Sequence, residues 1–179
     1  MVHSLLKMLG LAGIETKTEA GQTVISLWLQ LIQAAETLCI EGTPISAIDA
    51  ALEEIGFSDG PFRMVDALGL DIVEQLSADV PGFEGKLSIA RTLAENGQTG
   101  VDSGAGYYLY ENEHAGLPNP EATRVIQSLR EDRGQKVADL EIQQYCLAVL
   151  ANEAAKLLAH QVIKSPGELD LLLTDAFGL

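Results

Sequence analysis

The sequence predicts an all-α protein, and two observations carry that reading. Apolar residues recur at i, i+3, i+4 and i+7 along most of the chain, the period of a helix with one buried face. Proline and glycine fall at the ends of these runs rather than inside them, where helices begin and stop. With 179 residues, the chain suits one compact domain or two small units sharing a core, and a chain of this size buries roughly 70% of its unfolded surface.

The elements follow in order. Val24, Leu27, Trp28, Leu31, Ile32, Ala35, Leu38 and Cys39 predict a helix from about Gln22 to Glu41, ended by Gly42. Thr43 is expected to cap a second helix with Pro44 at its first position and Ile45, Ile48, Leu52 and Ile55 as its stripe, stopped by Gly56. In "GPFRMVDALGLD", Asp59 or Gly60 caps a third helix, with Pro61 in its first turn and Phe62, Val65 and Leu68 on one face. Gly69 supplies a positive φ at its end, and Asp71 is expected to cap the next helix, Ile72 to Ala78. A further helix is expected over Phe83 to Asn96, with Leu87, Ala90, Leu93 and Ala94 inward and Gly97 at its end.

"GQTGVDSGAGYYLYENEHAG" is too rich in glycine for a long helix and reads as an extended loop laying Tyr107, Tyr108 and Tyr110 onto helices. Asn119-Pro120 opens a helix ending near Arg133-Gly134. Asp139 precedes a long helix with Ile142, Tyr145, Cys146, Val149, Leu150, Leu157 and Leu158 inward. Ser165, Pro166 and Glu168 form a capping box for the last one. "QAAETLCIEG" can be laid on "NEAAKLLAHQ", each followed by a proline-started helix carrying Asp49 or Asp170, which indicates a tandem duplication with an incomplete second copy. The expected organisation is an N-terminal extension (1–20), a first helical unit with the glycine/tyrosine-rich loop (21–116) and a second, incomplete unit (117–179).

Composition excludes several functions. Net charge is −15, and the seven acidic residues between Lys17 and Arg63 have no basic residue among them. Such a surface repels phosphate backbones and anionic lipid, so neither nucleic acid nor membrane is an expected partner. Gln30, Gln33 and Glu36 interrupt the most apolar run, Val24 to Cys39, which reads as a buried helix. "MVHSLLKMLGLAG" lacks the long apolar core of a secretory signal, so a cytoplasmic or organelle-matrix protein is expected. Cys39 and Cys146 each sit in an apolar helical pattern and read as buried thiols without metal spacing. His3, His114 and His160 have no sequence-evident carboxylate to orient them and read as surface residues, His160 at a helix C-terminus.

"GPFRMVDALGLD" resembles the Gly-Pro-Phe-x-x-x-Asp-x-x-Gly-x-Asp signature in the C-terminal helical domain of L-3-hydroxyacyl-CoA dehydrogenases. "NGQTGVDSGAGYYLY" is similar to the family's following Gly-x-x-Gly-x-Lys-x-Gly-x-Gly-Phe-Tyr-x-Tyr. "LANEAAKLLAHQVIKSPGELDLLLTDAFGL" resembles the second helical repeat of the long versions, such as the α subunit of the fatty-acid oxidation complex. The resemblance implies a helical domain like the 6-phosphogluconate dehydrogenase C-terminal domain. It also implies that Gly60, Pro61, Phe62, Asp66, Gly69, Asp71, Gly104, Gly106 and Tyr107 are fold signature rather than catalytic groups.

The family oxidises a 3-hydroxyacyl-CoA with NAD. The NAD belongs to a Rossmann domain that supplies a Gly-rich turn and a His–Glu pair, neither of which occurs in this sequence. The glycines of "GVDSGAG" have no βαβ context and are not read as a nucleotide site. The family's Val-Asn-Arg run, whose Asn lies near substrate, matches Val24-Ile25-Ser26 here, and its loop Lys matches Asp102. Val24, Ile25 and Ser26 are therefore the substrate-facing candidates, without the family's donors. No cofactor is expected on this chain itself, and acyl-CoA only together with a dehydrogenase domain. Two functions stay open: a substrate-covering domain, or a non-catalytic interaction or regulatory protein. A protein partner or homodimer is expected, the latter covering Leu169, Leu172, Leu173 and Phe177.

Overall fold

Helix α1 (Gln22–Glu41) forms the centre because its apolar residues run all the way round it: Leu27, Leu29, Leu31, Ile32, Ala35 and Cys39 are buried on several faces. In the computed structural model, residues 22–80, 83, 85–111, 114–130 and 139–178 are described. The N-terminal extension therefore lies outside the described residues. Gly42 ends α1 at φ 118°, its N–H returning to Leu38 and Cys39 carbonyls.

Around α1 lie α2 (Ile45–Glu54), α3 (Pro61–Leu68), α4 (Leu70–Asp79), α5 (Ser88–Glu95), α6 (Pro120–Leu129), α7 (Asp139–Ala159) and α8 (Pro166–Phe177). A short antiparallel pair, β1 (Tyr108–Glu111) and β2 (His114–Pro118), follows a 3₁₀ turn at Val101–Ser103. The glycine/tyrosine loop is thus partly a hairpin, in an otherwise helical fold. Residue 116, the expected junction of the two units, lies in β2.

Helix α7 packs along α1 and α2. The matching helices α2 and α8 meet at their ends: the Phe57 and Phe177 rings are 5.7 Å apart, and Ser58 N donates to Phe177 O at 3.0 Å. Leu169, Leu172 and Phe177 are buried in the single chain, so most of the side of α8 expected to need a second copy is covered.

Several local expectations are corrected. Thr43 is not a cap: Pro44 is the N-cap of α2, and Thr43 Oγ1 is buried without a partner among the described residues. Asp71 does not cap α4 either. Gly69 holds that position, and Asp71 lies exposed in the first turn, where its charge favours the helix dipole. Leu68 is 42% exposed rather than sharing the buried face of Phe62 and Val65, because α3 ends there.

Helix α5 begins at Ser88, five residues later than expected, and α6 ends at Leu129 rather than near Gly134. Tyr145 is 41% exposed. The capping box of α8 is shifted: Ser165 Oγ accepts from Glu168 N at 3.3 Å, while Glu168 Oε2 accepts from Lys164 N, one residue before the cap. Asn119 does cap α6, accepting from Glu121 N at 2.9 Å.

Cys39 and Cys146 are fully buried, and burial pushes both thiols up, Cys146 to about 12. Thiolate is the reactive form. Native protein should therefore leave both cysteines unlabelled by a thiol reagent at pH 8, and both should react after denaturation. Fast labelling of the native chain would contradict this packing.

Candidate functional site

The start of α1 carries Val24, Ile25 and Ser26, all half-buried, with Val24 and Ile25 packed on the core. Ser26 is engaged: its hydroxyl donates to Glu153 Oε1 of α7 at 2.6 Å, and Glu153 Oε2 accepts from Lys156 Nζ at 3.2 Å. Its proton is aimed at Glu153.

The signature residues gather elsewhere, around three buried carboxylates. Each carboxylate accepts one tyrosine hydroxyl from the segment after Gly106. Tyr107 donates to Glu36 of α1 at 2.6 Å, Tyr108 to Asp49 of α2 at 2.7 Å and Tyr110 to Asp66 of α3 at 2.8 Å. One extended segment is thereby pinned to three helices.

The same carboxylates also satisfy backbone donors. Glu36 accepts from Ile89 N and Ala90 N, in the first turn of α5, at 3.1 and 2.8 Å. Asp49 accepts from Phe62 N at 3.0 Å, in the first turn of α3. Asp66 accepts from Tyr107 N and Tyr108 N at 2.8 and 2.9 Å. Helices α3 and α5 thus receive their N-terminal acceptors from residues 13 and 53 positions earlier, not from their own cap residues.

Glycine appears where these carboxylates need room. A Cβ at Gly60 would lie 2.1 Å from Asp49 Cγ, and one at Gly106 would lie 2.1 Å from Asp66 Oδ1. At Gly100, with φ 114°, an added Cβ would lie 2.2 Å from the backbone carbonyl oxygen of Asp66. Pro61 fills the first helical position, and the Phe62 ring packs 4.5 Å from Tyr107. Gly69 (φ 106°) and Gly104 (φ 76°) take backbone turns that other residues resist. Asp102 is exposed in the 3₁₀ turn.

Asp49 and Asp66 are pushed up to about 6, chiefly by burial, against the lowering effect of their hydrogen bonds; Glu36 is raised for the same reason. Arg63 lies over the Tyr108 ring at 5.3 Å and is paired with Glu53. Unfolded aspartates titrate near 4, so between about pH 4 and 6 the folded chain holds protons that the unfolded chain has lost. Their contribution to stability is complete below about pH 4 and is lost as pH rises through 6, about 2–3 kcal/mol per aspartate. Urea unfolding should show lower stability at pH 7 than at pH 4.5. Equal stability, or a rise with pH, would contradict these environments.

The sequence reading named Asp66 and its glycines as fold signature. It missed Glu36, whose signal was available: an acidic residue one turn from Ile32 and beside Ala35 on a buried helix face. Among the described residues, no group of three His, Cys, Asp or Glu side chains is arranged for a metal. Two surface cavities, of about 430 and 340 Å³, are lined by other residues, including Lys86 and Arg91 in the first and Thr43 and Arg130 in the second.

This arrangement, helices bolted together through carboxylates and a tyrosine segment, defines a mostly helical domain. The chain belongs to the 3-hydroxyacyl-CoA dehydrogenase family: the profile described as "3-hydroxyacyl-CoA dehydrogenase, C-terminal domain" matches residues 23–110. It is 26% identical to the peroxisomal bifunctional enzyme of Danio rerio over 98% of this chain and 27% of that protein. It is 28% identical to the fatty acid oxidation complex subunit alpha of Vibrio vulnificus over 95% of this chain and 24% of that one. The chain therefore spans about a quarter of the length of these relatives. In fold it is similar to the dehydrogenase part of multifunctional enzyme 1 from C. elegans, with a TM-score of 0.77 at 19% identity over 99% of this chain and 41% of that one.

Proposed function

We infer that the chain serves as the substrate-covering C-terminal helical domain of a 3-hydroxyacyl-CoA dehydrogenase-like protein of fatty-acid β-oxidation. It makes subunit contacts and is not catalytic alone. The match over 23–110 carries this reading. Acyl-CoA lies against the start of α1 when a Rossmann domain holding NAD and the His–Glu pair is present, in the cytoplasm or an organelle matrix. Nucleic acid and membrane are not partners of a chain with this charge.

The second reading is a non-catalytic interaction or regulatory protein, as a monomer or a homodimer. Ser26 favours it, since its hydroxyl is committed to Glu153 and Ile25 has no donor to offer. Calorimetry with acetyl-CoA, on the chain combined with an NAD-loaded Rossmann domain of the family, separates the two. Heat of binding that is lost on Ile25→Asp supports the covering role, and no binding supports the interaction reading. NAD reduction by the purified chain with a 3-hydroxyacyl-CoA would overturn both.

A further inference from the structure

Helix α7 is apolar on both sides. Its inner face, Ile142, Cys146, Leu150 and Leu157, is buried against α1 and α2. Its outer face presents Leu140 (62% exposed), Leu147 (40% exposed), Ala148 and Ala151 to solvent at helical spacing, around Gln144. Isolated exposed leucines need no explanation, but a continuous apolar strip along one helix does.

The duplication shows what such a face does. At the offset of 119 that lays Gln33 on Asn152, Leu147 matches Trp28, Ala148 matches Leu29, Ala151 matches Ile32 and Ala155 matches Glu36. In α1 those four residues are buried, and Glu36 holds the start of α5 there. The equivalent strip on α7 is exposed among the described residues, and its alanines allow close approach of a helix. Ala155 provides no carboxylate, so an occupant is not held through the cap that holds α5.

Acidic residues lie at both borders of the strip, with the Arg130 guanidinium close to Gly42 beside the first of them, Glu41. Along one edge Tyr145 lies in the field of exposed Glu41. Along the other, Gln143 hydrogen-bonds exposed Glu54 at 3.2 Å. From Leu140 to Ala155 the helix carries no Lys or Arg, on a body of net charge −15. A second copy brings the same acidic borders and is repelled; a basic helix is attracted.

We propose that the outer face of α7 docks an amphipathic helix of a partner protein, with an apolar stripe seated on Leu140, Leu147 and Ala151 and Lys or Arg on both flanks facing Glu41 and Glu54. This goes beyond the dehydrogenase reading and does not depend on acyl-CoA binding. It is the helix-in-groove mode with electrostatic borders.

The test uses the whole chain and a synthetic leucine–lysine amphipathic helix about 18 residues long, followed by fluorescence anisotropy. The peptide should bind, and its leucine–glutamate counterpart should not. Leu147→Asp should weaken binding about tenfold or more, although it adds a negative charge. Leu117→Asp, an equally charged change at an exposed position of β2, should leave binding unchanged. Equal binding by the two variants would mean that bulk charge alone attracts the peptide and would overturn the site. No binding would overturn it as well. So would a dimer in sedimentation that Leu147→Asp dissociates, since a second copy would then own the face.

Discussion

Asp66→Ala should lose about 3–5 kcal/mol of stability, enough to unfold much of the population of a marginally stable domain. Asp66 is buried and accepts three donors: two consecutive backbone N–H groups and the Tyr110 hydroxyl. Alanine leaves both N–H groups buried beneath a tyrosine segment that cannot turn them to water without releasing Tyr107 and Tyr108 from the core. The unmade bonds therefore cost more than the made ones contributed. Tyr110→Phe is the calibrating variant. It removes one bond at a half-buried hydroxyl and should cost about 1 kcal/mol. Urea unfolding of both variants at pH 5 reads the difference. An Asp66→Ala cost no larger than that of Tyr110→Phe would show that the loop is not held through Asp66.

How far this scaffold was legible in the sequence depended on the range of each interaction. The helix-ending glycines, with Pro61 and Pro120, were read correctly, whereas the caps expected at Thr43 and Asp71 were not. Gly42, Gly56, Gly69 and Gly97 sit at positive φ after their helices, and Pro61 and Pro120 occupy first helical positions, because these effects involve a few adjacent residues. The tyrosines were correctly laid onto helices, but the acceptors were not identified. Glu36 meets Tyr107 across 71 positions and α5 across 53 or 54, and no periodicity encodes such a pairing. The same cause explains the late start of α5. Its first turn is fixed where Glu36 can accept Ile89 N and Ala90 N, not where helical periodicity begins at Phe83. Asp49 was visible as a repeat position matching Asp170, yet only the first copy buries its carboxylate, and Asp170 is exposed. The substrate-facing candidates were named from resemblance, and the pairing of Ser26 with Glu153 joins residues 127 positions apart.

Gly106→Ala is expected to be as damaging as losing Asp66, for a different reason. Gly106 is not needed for a positive φ; it is needed for space. The added Cβ would stand 2.1 Å from Asp66 Oδ1, 2.6 Å from its Cγ and 2.9 Å from Gly100 Cα. Neither neighbour has somewhere to go. Asp66 is fixed by three hydrogen bonds, and Gly100 is backbone with no room for a Cβ beside the Asp66 carbonyl oxygen. Relief therefore requires the segment to lift, which stretches the Tyr107 N and Tyr108 N bonds and pulls the Asn119 side chain, whose Nδ2 donates to Gly106 O at 2.7 Å. A cost of about 3 kcal/mol or more follows from overpacking combined with broken buried bonds. Gly167→Ala provides the opposite case in the same fold. That position lies in the first turn of α8 with nothing within 4 Å of an added Cβ and no positive φ. It should be neutral or stabilising by up to about 1 kcal/mol through helix propensity and a less mobile unfolded chain. Thermal unfolding of the two variants should separate them widely. If Gly106→Ala instead melted with the parent, the close approach of this segment to Asp66 could not be what holds the hairpin onto α3.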